Sequence, residues 1–362
     1  MRRLNLISTL LAIACLGSAA CAQIVIPPDL LKKKAEARKP RPIKPTSRPA
    51  GARPDLQRMI IDFRRGAGDA TKRQAAADKL LGAGPRGATL LRRIVSAELP
   101  RRTASYKKAF YSAARRSGSA KYRTTGEAKV KQWRAQFKST GEITKESLRA
   151  KAGPAMDALL EALVPKREEL LANSTSLTAR REELLALESI AARCAAALEL
   201  EAASSKLDND LKQQETLLSL LGAPMSETNR KIIEEAVRQF GKLEFEEWHG
   251  VAYLNVVRTL LGLRPMKIDL KLSAAGRDHS KDMYEQKFFS HTSPVSGKKT
   301  PWDRAARQGA KARGECIAAG VASGPRSIRM WFFSPGHHKI IMSGASRVGL
   351  GGYKRRWTLM TG

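Results

Sequence analysis

The sequence predicts an α+β protein. An all-α region over residues 55–244 precedes a smaller domain of mixed helices and strands over 245–362. Three observations carry that expectation. Apolar residues recur at helical spacing in the middle of the chain, as in Leu90, Leu91, Ile94 and Val95. All five histidines and four of the five tryptophans lie from Trp248 onward. Arg347–Tyr353 and Arg356–Leu359 read as two closing strands joined by a tight basic turn.

Met1-Arg2-Arg3 is a short basic start, and the apolar run from Leu4 to Leu16 is too short to span a bilayer, which needs about 20 residues. Ala20-Cys21-Ala22 before Gln23 has the form of a signal-peptidase site, so residues 1–22 are read as a secretory signal peptide. Ser18-Ala19-Ala20-Cys21 is lipobox-like, and lipid attachment at Cys21 is the variant of that reading. Residues 23–54 form a basic, proline-rich linker, with nine bases against Glu36 between Lys32 and Arg53. Proline there fixes φ and lacks an amide donor, favouring extended chain over packed structure. The expected location is outside the cytoplasm, secreted or held at the cell envelope, with no membrane helix after cleavage.

The net charge of +32 calls for an anionic partner. Export turns that partner from nucleic acid toward an anionic envelope component, a lipid or a glycan. Four cysteines exclude a dense disulfide scaffold, and signal cleavage leaves Cys194 and Cys316, read as unpaired. No CxxC, HExxH, GxSxG or GxGxxG occurs, which removes the usual signatures of zinc ribbons, common zincins, lipase-type hydrolases and Rossmann enzymes.

Within the helical region, Gly84-Pro85 and Gly153-Pro154 each punctuate apolar helical patterns and suggest HEAT-like helix pairs. Residues 101–150 carry 14 bases against three glutamates and read as an exposed basic helical face. From Glu161 to Trp248 the sign reverses, with 17 acids against 11 bases. Leucine seams such as Leu217-Leu218-Ser219-Leu220-Leu221 suggest long amphipathic helices. They pair with the basic helices as a bundle, or else self-associate as a coiled coil.

In the last domain, Val251 to Leu261 is helical by spacing, and Leu272, Ala275, His279 and Met283 mark a second apolar stripe. Thr300-Pro301-Trp302-Asp303 is a capped helix start, Arg326 to Phe333 a short helix, and Ser334-Pro335 the start of another. His279 is expected in the core, His338 at a rim or in solvent, and Trp302, Trp331 and Trp357 in the core.

The order of motifs here resembles the bacterial branch of the CAP superfamily (cysteine-rich secretory proteins, antigen 5 and pathogenesis-related proteins). The blocks are Asn255-x-x-Arg258, His279-Ser280-x-Asp282-Met283, Phe288-Phe289-Ser290-His291, Trp302-x-Arg304, Gly314-Glu315 and Trp331-x-x-Ser334-Pro335-Gly336-His337. The resemblance covers 245–362 and implies an α-β-α sandwich with a shallow cleft. By motif, that cleft falls on His291, Glu315 and His337, a set able to hold Zn²⁺ or another divalent metal. Two departures from the family pattern stand out: Cys316 follows the glutamate in place of asparagine, and the second glutamate has no counterpart. Three functions remain open from sequence: a non-enzymatic binding module for a lipid, glycan or protein, a metal-dependent hydrolase using the His/Glu cleft, and a structural scaffold.

Overall fold

The computed structural model describes residues 55–138, 143–201, 206–239 and 241–362. Residues 1–22, read above as a signal peptide, with Cys21, and residues 23–54, read as a basic linker, lie outside the described residues.

The chain opens with a helical array. Helix α1 (Leu56–Arg65) and α2 (Ala70–Gly82) are each started by an aspartate, Asp55 and Asp69, whose side chain accepts from a first-turn amide. Gly84, at φ 81°, separates α2 from α3 (Pro85–Thr125), a single helix of 41 residues. Helix α4 is Glu127–Lys138. At Gly153 the expected break is absent: Lys145–Ser147 runs through a π-turn, Leu148–Ala152, directly into α5 (Gly153–Leu163). Then follow α6 (Arg167–Ala172), α7 (Thr175–Ala197), α8 (Leu207–Leu221) and α9 (Glu227–Val237).

The acidic helices pack on the basic ones. Buried Glu215 of α8 accepts from Tyr106 Oη of α3 at 2.6 Å and from Arg167 and Arg181 at 2.7 and 2.9 Å. Buried Arg73 of α2 is held by Glu98 through two bonds of 2.8 and 2.7 Å. Each buried charge therefore has its partners, as burial demands. Cys194 is buried in α7 with a free thiol.

Helix α10 (Phe245–Leu260) begins the second unit, followed by β1 (Lys267–Ile268), α11 (Leu270–Glu285), α12 (Pro301–Arg307), β2 (Gly314–Ala319), α13 (Gly324–Phe332), α14 (Pro335–Ile341), β3 (Arg347–Tyr353) and β4 (Arg356–Thr361). The sheet order is β1-β3-β4-β2, with β1 parallel to β3 and the other pairs antiparallel. Strand alternation sends Val348 and Leu350 to the main core with α10, while Gly349 and Gly351 face α11. A Cβ on Gly351 would stand 1.9 Å from the Arg277 nitrogen, so the missing side chains let α11 lie flat on the sheet. Helix, sheet and helix thus form the expected sandwich.

Two motif residues serve the fold. Asn255 donates to the Met266 carbonyl at 2.8 Å and accepts from its amide at 2.9 Å, acting as a surrogate strand neighbour. Arg258 donates to the carbonyls of Arg264, Ile341 and Ser343, closing the end of α14; burial pulls its pKa down to about 10.

The two units share one core. Leu148, Met156, Leu159 and Leu163 of the helical region lie in the same buried cluster as Trp248, Trp331 and Leu350. Trp248 Nε1 donates to Ala236 O at 2.7 Å, and Arg134 Nε to Leu260 O at 2.7 Å.

Candidate functional site

The site forms at the sheet edge that β2 supplies. Cys316 and Ala318 enter the main core, so Glu315, one residue earlier, points to the opposite side. There it is buried, 5 % exposed, and both carboxylate oxygens are engaged. Oε2 accepts from Arg304 Nη2 at 2.6 Å, and Oε1 lies 2.8 Å from His291 Nδ1. Arg304, 1 % exposed, sits one turn into α12, where the Thr300–Asp303 capping box fixes the start of the helix. It also donates to the carbonyls of His291, Lys298 and Lys299, so one guanidinium ties the whole 291–299 loop to β2.

His291 stands exposed at the mouth of the cleft. A carboxylate acceptor facing Nδ1 selects the Nδ1–H tautomer and leaves Nε2 with its lone pair turned away from Glu315. His337, half-buried in the first turn of α14, holds Nδ1 2.9 Å from the Ser334 hydroxyl. Burial, and secondarily the neighbouring His291, push the His337 pKa below the usual imidazole value. The two imidazole rings lie with centroids 6.4 Å apart, and Trp331 backs His337 at the same distance. Trp331 Nε1 donates to Ile317 O at 3.0 Å, covering the open edge of β2.

The structure therefore brings His291, Glu315 and His337 into one neighbourhood, but not as three ligands around a common point. A tetrahedral metal needs lone pairs converging at about 2 Å. Here both Glu315 oxygens face protein donors, and among the described residues no group of three His, Cys, Asp or Glu is placed to hold a metal ion. The residues present do not fit a resident metal.

Other sequence expectations divide. His279 is a core residue, fully buried, with Nε2 3.1 Å from Ser290 O, and burial lowers its pKa to about 4. His338 does not lie at the rim. It is buried, its Nδ1 2.8 Å from Phe332 O and its ring between Phe137 of α4 and Phe332, because the helical region packs over that face. Trp302 is not in the core: at 60 % exposed it points outward from the first turn of α12, whose inward positions are Arg304 and Ala305. Trp331 and Trp357 are buried as expected. Cys316 is buried with its thiol 3.9 Å from His337 O, and burial pushes its pKa far upward. Arg304 is the site residue that motif reading passed over, although it closes the Trp302-x-Arg304 block. Its role depends on which side of α12 meets Glu315, which spacing does not show.

The C-terminal part of the chain is similar to known proteins. The family model described as the cysteine-rich secretory protein family matches residues 251–356. The Bacillus subtilis protein YkwD is 35% identical over 104 residues, 28% of this chain and 40% of that protein. The Bacillus subtilis membrane protein YlbC is 30% identical over 105 residues, 29% of this chain and 30% of that protein. The matches thus span well under half of either relative. Among solved structures, an extracellular SCP-domain protein of Bacillus anthracis is 25% identical, with a TM-score of 0.31 over 41% of this chain and 49% of that one. An outer surface protein of Borrelia burgdorferi is 18% identical, with a TM-score of 0.27 over 31% of this chain and 87% of that one. From the motif order, the sandwich and the family match together, the C-terminal domain of this chain belongs to the CAP superfamily.

Proposed function

We propose that this domain is a non-enzymatic binding module working outside the cytoplasm, which recognises an anionic component of the cell envelope, a lipid or a glycan, at the cleft between His291 and His337. The observation that carries the reading is the engagement of Glu315: with one oxygen on Arg304 and the other on His291, the carboxylate is committed to the frame of the cleft. What remains for a ligand is a pair of imidazoles set in a rigid frame. From His249 onward the domain carries 20 bases against six acids, which favours a negatively charged ligand.

Binding of the full chain to isolated envelope fractions tests this. A His291→Ala/His337→Ala variant should lose about tenfold in affinity, the scale of one or two lost ligand hydrogen bonds. Wild-type binding should weaken as salt rises. Undiminished binding by the variant sinks the assignment of the cleft.

A further inference from the structure

The longest helix carries a feature that the cleft does not use. Helix α3 contains eleven Lys and Arg and a single acid, Glu98, which is already bonded to Arg73 and Arg102. Eight of its bases concern two faces, and the other three, Arg92, Lys107 and Arg116, lie to either side of the row described next. Arg102 and Lys121 reach carboxylates of neighbouring helices, Glu183 and Glu169. Arg86, Arg93, Arg101, Lys108, Arg115 and Arg123 are exposed, and among the described residues none of them has a carboxylate partner.

Their spacing is regular. Successive members are seven or eight residues apart, which at about 100° per residue keeps all six within a sector of about 120° on one side of the helix. That face is opposite the buried Leu91, Val95, Tyr106, Phe110 and Ala114. At about 1.5 Å per residue the row is about 55 Å long. Exposed uncharged positions between the cations on this side are Ala97, Pro100, Ser105 and Ser119, while Tyr106 is buried and Tyr111 and Tyr122 half-buried.

We propose that this row is a docking ridge for a linear phosphodiester polymer of the cell envelope, lying along α3. The proposal rests on the reading of the protein as an exported binding module and adds a second site and a chemical class. Three observations select the occupant. The row runs along one side of a single helix of 41 residues, with Pro100 inside it, matching an extended polyanion. Five of the six cations are arginine, whose planar fork pairs two-pronged with phosphate oxygens. No exposed aromatic accompanies them to stack bases, as single-stranded nucleic acid binding uses. No large exposed apolar side chain of α3 is present to enter a bilayer interface either.

The test uses the full chain and lipid-free poly(glycerol phosphate), with affinity measured at 50 and 200 mM salt. Counterion release of about 0.7 per phosphate contact makes six contacts lose about 300-fold over that range. An Arg93→Gln/Arg101→Gln/Lys108→Gln variant, with three cations left, should lose only about 20-fold. All three positions are exposed and glutamine sustains a helix, so unchanged circular dichroism is expected. A control with equal charge loss elsewhere, Lys311→Gln/Arg313→Gln/Lys354→Gln, should keep the 300-fold dependence. Equal loss of salt dependence in both variants overturns the ridge, because net charge alone would then explain binding. Tighter binding of duplex DNA than of the polymer overturns the occupant. Failure to bind the polymer while envelope fractions are still bound through His291 and His337 removes the ridge alone. Failure to bind either removes the module reading as well.

Discussion

Glu315 and Arg304 show how much of the cleft is electrostatic frame. Both are buried, and their 2.6 Å pair is joined to His291 and to three loop carbonyls. Glu315→Gln keeps the shape but strands a buried guanidinium, a change that costs about 3–5 kcal/mol when one partner of a buried pair is lost. Urea denaturation should show a loss of that size; a loss under about 1 kcal/mol would mean that the pair is not a keystone. Fully buried His279 and half-buried His249 set the acid limit. Burial lowers both His249 and His279 to about 4 from 6.5. Between those values the unfolded chain binds more protons, so stability is complete above about pH 6.5 and falls as pH drops toward 4. The sum is on the order of a few kcal/mol. Denaturation midpoints should decline from pH 7 to pH 5, and a flat profile would contradict neutral burial of these rings.

At the scale of elements, the hairpin and the helix beneath it are the sharpest cases. Lys354 and Arg355 turn β3 into β4 with φ of 45° and 65°, conformations that suit Asn-Gly far better. Left-handed backbone costs an L-residue about 1 kcal/mol or more. Lys354→Asn/Arg355→Gly should therefore raise the thermal midpoint by several degrees, and an unchanged midpoint would show the strain to be absorbed elsewhere. Gly351→Ala runs the other way. Its new methyl would meet the α11 backbone at 1.9 Å, so α11 must lift from the sheet. Overpacking of this kind costs about 1–3 kcal/mol or more, read as a lowered thermal midpoint.

At the scale of the molecule, the helical region and the CAP domain hold one another. The main cluster runs from Leu148 and Met156 through Trp248 to Leu350, and His338 is wedged against Phe137. Arg329 of α13 adds a two-pronged pair to Asp157 of α5 at 2.5 and 3.0 Å. A core shared in this way predicts that the full chain melts in one calorimetric transition. A fragment of residues 245–362 should expose Trp248 and bind an apolar dye. Two resolved transitions, or a dye-negative fragment, would show that the seam contributes little.

Several features were determined by the sequence itself because their physics is local. The strands at Arg347–Tyr353 and Arg356–Thr361 follow from alternation, the start of α12 from the Thr300–Asp303 box, and the break before α3 from Gly84-Pro85. The motif order likewise placed His291, Glu315 and His337 in one neighbourhood. Tertiary structure decided the rest. Strand β2 was hidden because Gly-Glu-Cys-Ile-Ala-Ala does not alternate, and its pairing with β4 supplies what its pattern lacks. The burial of His338 and the exposure of Trp302 depend on which neighbour covers each face, and no spacing along one segment encodes a partner from another. The same holds for Arg304. Its place in the chain is readable, but its hold on Glu315 exists only because α12 packs beside the sheet edge, where hydrogen bonds between distant residues form after the chain has folded.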